Sequence, residues 1–312
     1  MNIQFLDREE ELKIINKLNK NNFFIIIKGR RRIGKTTFLQ KVFQNAVYIF
    51  IWPNKSIEWI NNEVCKENNL PLFKNFGDII KYLLEKKKTI IIDEFQNFLS
   101  VEKSIYGEIQ KIIDENKNKF LKMAVAGSSY SLINKVFNDV ASPLYGRKSA
   151  ELTLSHLPIK DIFKEVKRPL EEFIKFWSIF QGVPYYYEFI NKEPFEKLIK
   201  QLFLSKNALL REEGKSILAM EFGSNSKNYN TVLSAISEGK TKFNEISSFF
   251  GGKKNETIKY LDLLRKEFKL VKRLTPVTSD PKKTKEGIYS IKDNLLEFWF
   301  NFVDKQQIYA EQ

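Results

Sequence analysis

Residues Gly29-Arg30-Arg31-Arg32-Ile33-Gly34-Lys35-Thr36 follow the pattern G-x-x-x-x-G-K-T, which suits the holding of a polyphosphate. Two glycines let backbone N–H groups curl around an anion, and the helix that should begin near Thr37 offers its positive end to the same charge. The Lys35 ammonium would reach β- and γ-phosphates, and the Thr36 hydroxyl would hold Mg²⁺. Further along, Thr89-Ile90-Ile91-Ile92-Asp93-Glu94 is an apolar run ending in two carboxylates. Asp93 would bind the metal through water, and Glu94 would polarise the water that attacks the γ-phosphate. The pair points to ATP hydrolysis rather than storage, with ATP and Mg²⁺ as cofactors.

Weaker candidates surround these. In Gly127-Ser128-Ser129 a hydroxyl, Ser128 or Ser129, could meet the γ-phosphate or simply cap the following helix. Arg147, in the turn Ser142–Arg147, would stabilise transition-state charge or stand solvated on the surface. Arg30, Arg31 and Arg32 could shield phosphates or face a partner. His156 has no companions in a ligand pattern, and Cys65 is the single cysteine, so a reducing compartment such as the cytoplasm is expected.

These residues need a scaffold. Phe23–Ile27, Val47–Ile51, Thr89–Ile92, Leu121–Ala126 and Ala150–Leu154 are short apolar runs separated by helical patterns. That alternation predicts a helix-covered α/β fold with a parallel five-stranded sheet over residues 1–156. Strand signals then stop. Asp161–Gly182 and Pro194–Phe222 read as helices, giving a helical segment over 157–227. From 228 to 312 the rhythm changes to three helices, Tyr229–Glu238, Lys242–Phe250 and Asn255–Phe268, followed by two strands, Leu270–Leu274 and Gly287–Ile291. That is the winged-helix order. Ile258, Leu261, Leu264 and Phe268 would share the buried face of the third helix. The aromatic stretch Phe298–Phe302 reads as a packed helix.

The chain resembles the archaeal ATPases of the STAND group within the AAA+-like P-loop NTPases. The similar segments are Phe5–Leu12, Asp93-Glu94-Phe95-Gln96, Gly127-Ser128, Leu144-Tyr145-Gly146-Arg147, Gln181–Tyr186 and Asp293–Phe300. The resemblance implies a sheet order 5-1-4-3-2, a helical lid and a C-terminal winged helix. It also implies that the opening segment with Arg8 lies near the adenine and that Pro184 packs on it. Many relatives continue into a nuclease-like domain, and no carboxylate–lysine nuclease signature stands near Gln312.

The net charge is +14, which invites a nucleic-acid partner. The excess is spread along the chain, but Lys253–Lys285 holds 11 basic and 4 acidic residues. Duplex DNA is expected there, with Lys253, Lys254, Lys259, Arg265 and Lys266 on the third helix and Lys282, Lys283 and Lys285 on a wing. The competing expectation is a signalling ATPase whose winged helix meets a protein partner or another copy of the chain. No apolar run approaches the roughly 20 residues that cross a bilayer, so no membrane role is expected.

Overall fold

The computed structural model describes residues 8–18, 21–223, 226–278, 280 and 286–305. The chain divides into two compact units, the first ending at Asp161 and the second beginning at Ile162.

The first unit alternates helices and strands: α1 (Glu9–Leu18), β1 (Phe23–Lys28), α2 (Lys35–Val42), β2 (Val47–Phe50), α3 (Ile57–Glu67), α4 (Phe76–Glu85), β3 (Ile90–Asp93), α5 (Phe98–Val101), α6 (Ser104–Glu115), β4 (Lys122–Gly127), α7 (Tyr130–Phe137) and β5 (Ala150–Thr153). Each strand falls on an expected apolar run, and every residue of β1 and β3 is buried. That is the signature of strands covered on both faces. All pairings are parallel, and the order is β2-β3-β4-β1-β5, which read from the other edge is 5-1-4-3-2. A core of β-branched and aromatic side chains, including Phe24, Ile49, Ile80, Ile92, Phe95, Phe98 and Phe137, fills the space between sheet and helices.

This order fixes which loops can meet. In a parallel sheet the loops after the strands all lie at the carboxyl edge, where α/β ligands bind. The segments after β1, β3 and β4 are therefore brought together, with the tip of β4 between the other two.

In the second unit, α8 (Ile159–Val166) crosses the boundary and is followed by α9 (Leu170–Phe180), α10 (Pro184–Tyr187), α11 (Phe195–Ile199), α12 (Glu213–Phe222), α13 (Ser226–Ser237), α14 (Phe243–Phe249), α15 (Lys254–Lys266), β6 (Val271–Leu274), β7 (Ile288–Ile291) and α16 (Asn294–Phe298). The expected helix Asp161–Gly182 is broken at Lys167-Arg168-Pro169. Lys167 takes a left-handed φ of 50°, and Pro169, which has no N–H to continue a helix from before it, is the N-cap of α9. The expected helix Pro194–Phe222 is likewise interrupted. It passes through a π-helical turn at Lys200–Leu204 and then turns before α12. On α15 the buried stripe is Thr257, Leu261, Leu264 and Phe268, whereas Ile258 is 51% exposed. Only the first member of the expected stripe changes, Thr257 replacing Ile258, and Thr257 turns inward by donating its hydroxyl to the Lys253 carbonyl. β6 and β7 pair antiparallel, Val271 opposite Ile291. The candidate wing residues Lys282, Lys283 and Lys285, and the opening residues Phe5 to Asp7, lie outside the described residues.

Candidate functional site

The phosphate loop leaves β1 at Lys28 and enters α2 at Lys35. Gly34 caps α2 with φ 91°, a left-handed conformation that glycine adopts without steric cost. At Gly29 a Cβ would stand 2.9 Å from Ile33 Cγ2 and 3.0 Å from the Leu154 carbonyl oxygen, so the loop closes tightly only with glycine there. The Lys35 side chain is buried and folds back into the loop, donating to the carbonyls of Gly29 at 2.9 Å and Arg30 at 3.2 Å. Its ammonium is thus held inside the anion-binding curl. Arg8 braces the loop from outside. The guanidinium is buried, donates to the Ile33 carbonyl at 3.2 Å and pairs with Glu11 at 3.3 Å. Arg30, Arg31, Arg32, Ile33 and Thr37 lie on the same loop and first turn, with Arg32 in a left-handed φ of 66°.

Asp93 ends β3, two strands from β1. Its Oδ2 accepts from the Thr36 hydroxyl at 2.5 Å, joining the two residues expected to serve the metal. A second donor to that oxygen is Tyr48 of β2, whose hydroxyl is 3.0 Å away. Tyr48 stands opposite Ile91 in the β2–β3 ladder, so Asp93 is its diagonal neighbour, within reach of a long side chain. Burial, then the charge of Asp93, pushes the Tyr48 phenol far above its ordinary value. The other carboxylate oxygen, Oδ1, accepts from the Glu94 N–H at 2.9 Å. One hydroxyl and one carboxylate, both hard oxygens beside the phosphate loop, fit magnesium. That ion takes one or two carboxylates plus phosphate oxygens and keeps several waters. Among the described residues no cluster of three or more His, Cys, Asp or Glu offers an alternative metal site.

Glu94 has a left-handed φ of 53°, uncommon for a residue with a side chain. Its Oε2 accepts from Ser128 Oγ at 2.7 Å and from Gln96 Nε2 at 2.5 Å. Of the two serines, one takes the helix-cap role expected for the pair. Ser128 touches Glu94, while Ser129 caps α7 by accepting from the Leu132 N–H at 3.4 Å. Gln96 is buried in the short turn Phe95–Asn97. Sequence reasoning gave Tyr48 no role and named Gln96 only as part of the segment Asp93–Gln96.

Arg147 is not brought to this cluster. It precedes β5, and Ala150 pairs with Ile25, so its turn lies at the amino edge of the sheet. At about 3.3 Å per residue, that places it roughly 20 Å along the strand direction from the phosphate loop of its own chain. There the guanidinium donates to Asp114 at the end of α6, at 3.0 Å from Nη2, and to the Pro143 carbonyl at 2.8 Å. This topology keeps Arg147 away from the phosphate loop of its own chain, so the expected stabilisation of transition-state charge is not met there. Pro184 belongs to the second unit, buried at the first position of α10.

Comparison with known proteins agrees with this geometry. The sequence model of the AAA domain family matches residues 21–163, the span of the sheet and its helices. The uncharacterized protein MJECL04 of Methanocaldococcus jannaschii is 33% identical over 317 residues, spanning 96% of this chain and 69% of that protein. Among solved structures, the Walker-type ATPase paby2304 of Pyrococcus abyssi superposes with a TM-score of 0.70 at 18% identity, covering 96% of both chains. The ORC2 protein of Aeropyrum pernix, solved as ADPNP–ADP complexes, gives 0.63 at 11% identity over 97% of this chain and 93% of that one. Identities this low show a shared fold alone. With its AAA domain, its parallel sheet and its archaeal relative, this chain belongs to the archaeal AAA+-like P-loop ATPases.

Proposed function

We propose that the protein binds MgATP at the β1–α2 loop and hydrolyses it slowly, as a switch whose state is passed to a C-terminal winged-helix module. One observation carries the first half. Thr36, Asp93, Glu94 and Ser128 form a continuous hydrogen-bonded chain beside the buried Lys35. In the reaction, loop N–H groups and Lys35 would hold the β- and γ-phosphates. Thr36 and Asp93 would hold magnesium, which when bound neutralises charge on the phosphate oxygens. Glu94 would orient a water and take its proton, with Ser128 fixing the carboxylate. Arg8 holds the loop from behind, and Pro184 is assigned to the adenine by family resemblance. Calorimetry of Lys35→Ala tests the site: loss of MgATP binding is expected, and wild-type affinity would refute the assignment.

The second half rests on the succession α13, α14, α15, β6, β7, which follows the winged-helix order. Lys254 and Lys259 stand exposed on α15 and would contact duplex phosphates. A protein-binding reading also has a specific observation behind it. Lys253 pairs with Glu256, while Arg265 and Lys266 share Asp262, so the helix partly neutralises itself around the exposed Ile258. Titration of a random duplex at several salt concentrations separates the two readings.

A further inference from the structure

The Asp93 carboxylate has three donors, and they differ in what they must do when a metal arrives. The Glu94 N–H on Oδ1 is backbone and fixed by the turn. Thr36, on Oδ2, must offer its oxygen to the ion and can only share its proton with Asp93. The hydroxyl of Tyr48, also on Oδ2, has no duty to the ion. Tyr48 comes from a different element, β2, and approaches diagonally across the ladder. Its hydroxyl also meets the Thr36 hydroxyl, but it is carried by a strand outside the phosphate loop and so adds a hold on Oδ2 that does not come from the loop. A phenylalanine at this place would fill the same space between β2 and β3, so packing alone does not ask for the hydroxyl. Tyr48 is half-buried, and its hydroxyl bonds the carboxylate expected nearest the metal rather than turning to water.

We propose that Tyr48 is a positioning residue for magnesium, holding the Asp93 carboxylate in the orientation that receives the hydrated ion. This rests on the reading of the β1–α2 loop as a MgATP site. Residues one shell beyond a metal typically change its affinity by about 10–100-fold when removed, and Tyr48→Phe should fall in that range.

The experiment is calorimetric titration of ATP into wild type and Tyr48→Phe, in EDTA and across a series of Mg²⁺ concentrations. Far-UV circular dichroism melts would confirm that both are folded. The expected result is unchanged ATP affinity in EDTA with the Mg²⁺ midpoint moved upward by about 10-fold or more. A merely structural tyrosine would leave the midpoint where it is, or would weaken binding equally with and without metal; either outcome overturns the proposal. A wild type that binds ATP with no response to Mg²⁺ also overturns it. Wild type that binds no ATP under any condition overturns the nucleotide reading itself, and this proposal with it. As a second variant, Tyr48→His keeps a ring and a donor; partial recovery of the midpoint supports positioning by hydrogen bond.

Discussion

The left-handed backbone at Glu94 (φ 53°) turns its carboxylate away from Asp93 and toward Ser128 and Gln96. Adjacent carboxylates are thereby given separate surroundings, as separate duties on metal and water require. Such strain at a functional position is consistent with a conformation enforced by the surrounding fold. Glu94→Gln should therefore retain MgATP, because Asp93 and Thr36 are untouched. Turnover in a phosphate-release assay should fall by roughly 10²–10⁴-fold, the usual contribution of a general base. An unchanged rate would reduce Glu94 to a surface carboxylate. The G-x-x-x-x-G-K-T loop and the strand-end pair Asp93-Glu94 were legible in the sequence because spacing along the chain defines them. The contacts of Tyr48 and Gln96 with the carboxylates were not, for different reasons. Tyr48 reaches Asp93 only through a two-residue offset in the β2–β3 register, and register is a property of paired strands. Gln96 follows Glu94 so closely that nothing but the turn geometry shows its amide coming back to the same carboxylate.

Elements were legible to the extent that one strong local signal governed them. The five strands announced themselves as short, mainly apolar runs, and each is present within a residue or two. The helices between 157 and 227 were harder. Pro169 and the turn at Ser205–Glu212 interrupt apolar patterns that continue across them, and tertiary packing sets which side prevails. Two predictions belong to this scale. In α12, a Cβ at Gly214 would stand 2.1 Å from the Trp299 ring, and Trp299 is itself anchored by donating to the Arg211 carbonyl at 2.7 Å. Gly214→Ala should cost about 1–3 kcal/mol of stability through overpacking, measured by denaturant unfolding. In the first unit, Lys28 is buried at the end of β1 and pairs with Glu151 of β5 at 2.7 Å. Burial works to raise the Glu151 carboxyl, but hydrogen bonds from Lys148 and Lys28 outweigh it and hold it below the ordinary glutamate value. A depressed folded-state value means the carboxylate stabilises the fold above its unfolded value and loses that contribution as pH falls. Glu151→Gln should thus destabilise at neutral pH, and the gap from wild type should close on acidification below the ordinary glutamate range. A gap independent of pH would show that the ion pair contributes nothing.

For the whole molecule, the net charge of +14 was the least specific clue. On α15, acidic neighbours answer part of the positive charge, leaving Lys254 and Lys259 as the exposed cations that discriminate. If the second unit holds duplex phosphates, Lys254→Ala with Lys259→Ala should weaken binding and flatten the log–log salt dependence by about 0.9 for each phosphate no longer neutralised. Identical slopes for variant and wild type would favour a protein partner on the face around Ile258.

Arg147 carries a consequence of its own. Held by Asp114 at the amino edge of the sheet, it stands away from its own phosphate loop, so a part in phosphate cleavage would have to be played on a neighbouring chain. The reaction's kinetic order in protein then becomes informative. Turnover per chain should climb as the protein is concentrated, level off once encounters saturate, and stay flat for Arg147→Ala. A dilution series therefore reports whether this ATPase is complete as one molecule or only as a pair.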